Sequence, residues 1–190
     1  MILLSFDVGI RNLAYCQIDT ETLDILDWNI IDCANPKQDT ILSLIESLEE
    51  VNNLLYSDII LIEKQPSFNP QMRVISTAIY VYFIMRIAYE KVNKLKIMYY
   101  SAKNKLKLCA NTLAFQERNE MTENGELRGK KGKRKCYTFN KKAAIEQTLV
   151  LLENKKKENS IYQKYINYFE KSKKKDDLAD CYLQAIAYCS

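Results

Sequence analysis

Ile2-Leu3-Leu4-Ser5-Phe6-Asp7 opens the chain with an apolar run that ends on a carboxylate. The run Ile2–Phe6 predicts a buried strand, and Asp7-Val8-Gly9-Ile10-Arg11-Asn12 predicts a turn, with Gly9 free to take a positive φ. An acid just after a buried strand either caps the following turn or does chemistry. The pattern recurs in Ile59-Ile60-Leu61-Ile62-Glu63. Further on, Lys174-Lys175-Asp176-Asp177-Leu178-Ala179-Asp180-Cys181 sets Asp177 and Asp180 one helical turn apart. Two acids at that spacing share a helix face and repel by roughly 0.2–0.5 kcal/mol without a cation.

Outward from these points, Leu13–Ile18 and Leu23–Ile31 read as two more strands of an antiparallel meander, with Asp19-Thr20-Glu21-Thr22 as the turn. Asn35-Pro36 marks a break. Ile41, Leu44, Ile45, Leu48, Val51, Leu54 and Leu55 recur at helical spacing, with Asp39 or Thr40 near the start. Pro66 and Pro70 bound a loop, and a long apolar helix spans 71–92. Lys96–Tyr100 is a short strand, and residues 101–115 have helical character. Residues 116–136 are polar and glycine-bearing without apolar periodicity, which predicts a flexible basic loop. Helices are expected over 141–153, with Asn140 as cap, over 161–169 and over 177–189. The order β-β-β-α-β-α-β-α predicts a single α/β domain over 1–190 with the ribonuclease H-like fold: a five-stranded mixed sheet flanked by helices. There the ends of the first and fourth strands and a late helix converge, which brings together Asp7, Glu63, Asp177 and Asp180.

Composition narrows the chemistry. The chain has 190 residues, 47% of them hydrophobic, enough for a sizeable core. It has no histidine, and its cysteines form no Cys-x-x-Cys pair. That removes most zinc sites, the Ser-His-Asp triad and the Cys-His dyad. The short run before Asp7 predicts no signal peptide, and no stretch reads as a membrane span. We expect a soluble protein of a reducing compartment. Net charge is +4, and the cations cluster in Arg128–Lys135, Lys141-Lys142, Lys155–Lys157 and Lys171–Lys175. Basic clusters beside an acidic site fit an enzyme acting on a polyanion, although any one such run also reads as a solvated face. A pair of magnesium ions between converging carboxylates activates water and stabilises a departing 3′ oxygen. With no histidine, metal, carboxylate or lysine must activate the water. Singly, each acid also has a plain reading: Asp7 caps a turn, Glu63 pairs with Arg73 or Lys64, and Asp176 and Asp177 cap a helix.

Phe6-Asp7-Val8-Gly9-Ile10-Arg11-Asn12-Leu13-Ala14 resembles the first motif of RuvC-type Holliday junction resolvases. Ile62-Glu63-Lys64-Gln65-Pro66-Ser67-Phe68-Asn69-Pro70-Gln71-Met72-Arg73 resembles the poxvirus and large-DNA-virus branch, and less closely the fungal mitochondrial one. Lys174–Cys181 is similar to the family's final Asp-Asp-x-x-Asp motif. The resemblance implies a homodimer that resolves four-way DNA junctions by paired symmetric nicks. Carried over by position, Asp7, Glu63, Asp177 and Asp180 are the Mg²⁺ ligands, two ions per site with Mn²⁺ as substitute, and Asp176 is a weaker candidate. Lys142, ahead of Lys141, is the lysine expected at the scissile phosphate. Asn69, Arg73, Lys130, Lys131, Lys133, Arg134, Lys135, Lys141, Lys174 and Lys175 are expected to bind DNA, and Phe68 is either a wedge at the junction or a core residue. The apolar helix 71–92 is either the central core helix or the dimer interface. No membrane and no nucleotide cofactor are expected. The absence of an N-terminal extension favours a viral protein at replication sites in the host cytoplasm over a mitochondrial one. The alternatives are an RNA–DNA hybrid nuclease on the same fold, which would need no dimer, and a non-catalytic junction-binding protein. An actin-like ATPase would share the Asp-x-Gly turn but needs a second glycine motif.

Overall fold

A computed structural model describes residues 1–33, 39–51, 54–90 and 95–190. The expected break at Asn35-Pro36 and the far end of the long apolar helix at Val92 lie outside these residues. Strands β1 (Ile2–Asp7), β2 (Asn12–Asp19), β3 (Ile25–Asp32), β4 (Ile59–Glu63) and β5 (Lys96–Tyr100) form one sheet in the order β3-β2-β1-β4-β5. The first three are antiparallel, while β4 runs parallel to β1 and to β5. This is the ribonuclease H-like arrangement expected from the sequence. Its centre, β1 with β4 beside it, is buried on both faces, as the unbroken apolar runs require. The register pairs Phe6 with Ile62, so Asp7 and Glu63 follow side by side at the same sheet edge.

Two apolar layers cover the sheet. On one face, α1 (Thr40–Glu49) and α2 (Pro70–Glu90) pack against Leu4, Phe6, Ile60 and Ile62. On the other, α5 (Gly129–Glu158), α6 (Tyr162–Lys171) and α7 (Lys175–Cys189) pack against Leu3, Cys16, Trp28 and Leu61. Trp28 stacks on Phe169 at 5.4 Å and donates its indole N–H to the carbonyl of Leu178 at 3.1 Å. Two shorter helices, α3 (Lys103–Lys107) and α4 (Leu113–Glu123), complete the order.

Several expectations shift. Strand β3 starts at Ile25 because Leu23 sits in a turn at φ 59°, closed by the Asp19 carboxylate accepting from Glu21 and Thr22. Helix α1 starts on its Asp39 cap but stops at Glu49, and Leu54–Tyr56 is a separate 3₁₀ turn. Gly9 keeps an ordinary φ; a Cβ there would sit 2.1 Å from the Asn12 carbonyl oxygen, so close approach explains this glycine. The stretch 116–136 is no loop: α4 covers its first part, a turn follows, and α5 begins at Gly129. Asn140 therefore sits within a helix, not at its cap, and its amide oxygen accepts from Arg118 at 2.7 Å.

Helix α2 serves the core with one face only. Ile75, Ile79, Tyr82 and Phe83 are buried, whereas Val74, Val81, Ile84, Met85 and Tyr89 are exposed. By length and composition Pro70–Tyr89 passes for a membrane span, with mean hydropathy 1.2, contrary to the reading from sequence. Its inward side belongs to the core of the sheet.

Candidate active site

Strand ends, one short helix and two long ones meet in a pocket of about 520 Å³. Its lining includes Asp7 from β1, Glu63 from β4, Lys105 from α3, Tyr137, Asn140 and Lys141 from α5, and Asp177 and Asp180 from α7. The four acids singled out in the sequence thus share one cavity. The fixed point is Gln184, one turn beyond Asp180. Its buried amide donates to Ser5 Oγ at 3.0 Å and to the Phe6 carbonyl at 3.2 Å, which pins α7 against β1 beside Asp7.

Lys105 escaped the sequence reading. Its side chain is only 8% exposed, and its ammonium stands 3.0 Å from Glu63 and 2.9 Å from Asp180. Within Lys103-Asn104-Lys105-Leu106-Lys107 it looks like one more solvated lysine. The available signal was its place a few residues after β5, whose neighbour strand ends on Glu63. Glu63 therefore pairs with Lys105 rather than with Arg73 or Lys64.

Burial pushes the Asp7 carboxyl well above its ordinary range, and the Glu63 charge adds to this against the pull of Lys105. Burial likewise raises Asp180, partly offset by Lys105 and reinforced by Glu63 and Asp176. Burial also works against the Glu63 anion, but Lys105 outweighs it and holds Glu63 below its ordinary value. Asp177 is raised by burial and then by Asp176. Asp176, outside the pocket lining, pairs closely with Lys141 and is lowered despite its burial. Burial opposes the charge on Lys105, yet Asp180, Glu63 and Asp7 together raise its pKa, so it stays an ammonium.

Among the described residues no group of three or more acidic or thiol side chains stands as a ready-made ligand shell. Lys105 holds its ammonium within ion-pair distance of both Glu63 and Asp180. Asp7, Glu63, Asp177 and Asp180 are the oxygen donors that this pocket offers a hard cation.

The remaining candidates divide. Lys142 is exposed, lies over the Phe139 ring at 6.0 Å and does not line the pocket; Lys141 does, because one residue turns a helix by about 100°. Asn69 caps α2, its amide oxygen accepting from the Met72 N–H at 3.3 Å, while also lining the pocket. Phe68 is 85% exposed at the pocket rim, so it is no core residue. Arg73 lies outside the acidic pocket, in an adjoining hollow with Lys64, Ser67 and Lys103. Lys174 pairs with Asp177 at 3.6 Å, and Lys175 opens α7. Lys130, Lys131, Lys133, Arg134 and Lys135 are exposed along the first turns of α5.

Fold and site together define a ribonuclease H-like protein with an acidic pocket at its strand ends. The chain belongs to the family described as Poxvirus A22 protein, whose model matches residues 1–112. That match takes in Asp7, Glu63 and Lys105; Asp177 and Asp180 lie beyond it and are brought in by the fold. An uncharacterized protein of Acanthamoeba polyphaga mimivirus is 31% identical over 154 residues, or 77% of this chain. The chain spans about a third, 33%, of that relative's length. Among solved structures, the fowlpox virus resolvase in complex with its substrate Holliday junction DNA superposes with TM-score 0.54 at 19% identity, covering 100% of this chain and 97% of that one. The yeast mitochondrial Holliday junction resolvase Ydc2 gives TM-score 0.57 at 16% identity, covering 98% and 78%. At these identities the likeness speaks for the fold.

Proposed function

We propose that this chain is a metal-dependent endonuclease that resolves four-way DNA junctions by paired symmetric nicks. The observation that carries the reading is the convergence of Asp7, Glu63 and Asp180, with Asp177, on one pocket walled by Lys105 and Lys141. A binding module gains nothing from concentrating negative charge where DNA must lie. The donor set suits Mg²⁺, which prefers carboxylate oxygen, and Lys105 brings one positive charge to Glu63 and Asp180. Asp7, Glu63, Asp177 and Asp180 would hold Mg²⁺, or Mn²⁺ in its place, at two positions per site, supplying an activated water and charge compensation at the departing 3′ oxygen.

The chain's own groups do the rest. Lys105 remains protonated, so it is a fixed charge toward the scissile phosphate and not a base. Lys141, paired with Asp176, offers a second ammonium on the α5 wall of the pocket. Tyr137 and Asn140 line that wall, and exposed Phe68 presents an aromatic face to a base at the rim. A junction is two-fold symmetric, so two copies of the chain suit it. The outward apolar face of α2, with Val74, Val81, Ile84 and Met85, is our candidate for their interface. All six cysteines are free thiols, in keeping with a reducing compartment such as the cytoplasm where viral DNA replicates.

The test is cleavage of an end-labelled synthetic four-way junction in Mg²⁺ by the wild type and by Asp180→Asn, with linear duplex and RNA–DNA hybrid beside it. Paired nicks from the wild type alone are expected. Binding without cutting, or cutting of the hybrid only, would overturn the reading.

A further inference from the structure

Helix α5 carries far more charge at its start than a pocket wall needs. Arg128, Lys130, Lys131, Lys133, Arg134 and Lys135 are all exposed there. The helix turns about 100° per residue, so its buried residues fix which way each cation points. Gly132 abuts Leu127, and Phe139 and Ala143 join the core. By that turn Lys130, Arg134, Tyr137 and Lys141 fall within about 60° of one another, in line with the buried Ala144, Thr148 and Leu152 further along, and Lys133 lies about 40° beyond Tyr137. Lys131, Lys135 and Lys142 fall on a second flank, about 100° round the helix. The two flanks differ in what they lead to: Tyr137 and Lys141 line the acidic pocket, and Lys142 does not.

We propose that Lys130, Lys133 and Arg134 form a one-sided phosphate track, which continues the pocket wall and holds the backbone of one DNA duplex arm leading to the cut. The proposal rests on the DNA-cleaving reading above and adds the path of the arm. From Lys130 to Lys141 the helix rises about 16 Å, which matches about five phosphates along one strand of B-form DNA at about 3.4 Å each. Cations of one sign, continuous with the pocket and with no acidic residue among the named track positions, suit a polyanion. Charge alone carries the contact, so this track grips without reading sequence.

The experiment compares Lys130→Gln/Arg134→Gln with Lys131→Gln/Lys135→Gln, pairs of equal charge change on the two flanks. Binding to a four-way junction is titrated against salt in EDTA, where no cutting occurs. Losing two phosphate contacts flattens the salt dependence, so the affinity drop between about 50 and about 200 mM salt shrinks about tenfold for the track pair. The second pair should change that drop by less than half as much on a logarithmic scale. Equal changes in the two pairs, or a larger one in the second pair, would overturn the track. Wild-type binding and cutting, measured in parallel, report separately on the DNA-cleaving reading: a wild type that neither binds nor cuts junctions defeats both, whereas a wild type that cuts with equal pairs defeats the track alone.

Discussion

Gln184 on the last helix donates its side-chain amide to the main-chain carbonyl of Phe6 on the first strand, at 3.2 Å. The same amide reaches Ser5 Oγ, and both partners are buried. Replacing Gln184 with Leu keeps the volume but strands Ser5 Oγ and the second lone pair of the Phe6 carbonyl away from water. We expect a loss of about 1–3 kcal/mol, seen as a lower denaturation midpoint. Single-turnover cleavage should fall further than stability explains, because Asp180 loses its register with Asp7. Unchanged cleavage would mean that the core alone sets this register.

Lys105→Met should be costly without metal. Removing one partner of a buried ion pair leaves the others uncompensated, at about 3–5 kcal/mol. The figure here falls toward the lower end, because Glu63 and Asp180 keep some contact with water. Added Mg²⁺ should restore part of the loss, so the melting temperature should climb more with Mg²⁺ in the variant than in the wild type. Junction cutting should drop by roughly 10²–10³ even with Mg²⁺ present, the scale seen when one donor to a developing charge is removed. Equal Mg²⁺ responses in the two proteins would count against Lys105 as the resident counter-charge.

The pH dependence follows from the carboxyls that favour their protons. Asp7 and Asp180 titrate above their unfolded values, so their contribution to stability is complete below the unfolded range. It is lost as pH rises from about 4 through their raised values. Glu63 acts in the opposite sense: its contribution is present above the ordinary glutamate range and fades as pH falls through its lowered value. Metal needs the anions. The rise in melting temperature produced by Mg²⁺ should therefore be larger at about pH 8 than at about pH 5.5, with protons released on binding. A pH-independent Mg²⁺ effect would remove Asp7 and Asp180 from the ligand set.

Asp7→Asn takes away a like charge beside Glu63. The metal-free protein should become more stable by about 1 kcal/mol, a shift of about 2–4 °C in melting temperature for a chain of this size. Junction cutting should disappear at the same time. Stability gained with activity lost identifies a residue kept for chemistry.

Gly132→Ala tests the turn into α5. A Cβ there would lie 2.1 Å from the Leu127 carbonyl carbon and 2.3 Å from its oxygen, both main-chain atoms that cannot swing aside. The expected cost is about 1–3 kcal/mol, measured by thermal melting. Lys130 and Arg134 should also lose their alignment with the pocket.

The strands, the mixed sheet and the placement of the acids at strand ends and on one helix face were legible because the signal was local: an unbroken apolar run ending on a carboxylate, and acids one turn apart on a helix. Residues 116–136 misled because the first turns of α5 bury little more than Gly132 and part of Cys136. A helix held by a glycine contact and its continuation into a stronger segment shows no apolar stripe. Lys105 was illegible because its meaning is tertiary. Its neighbours Lys103 and Lys107 have the same local context, and only the fold buries one of the three. Sequence could not separate Lys141, which lines the pocket, from Lys142, which does not, since adjacent helical residues face different ways.

The pocket draws its acids from the first strand and the last helix, and α7 is the element that completes it. While the chain is still on the ribosome, β1 and β4 can pair, yet Asp177 and Asp180 have not been delivered. A nascent chain thus holds only half of the pocket's acids. On the proposed reading, competence to cut arrives in one step, when α7 docks and Gln184 locks onto β1.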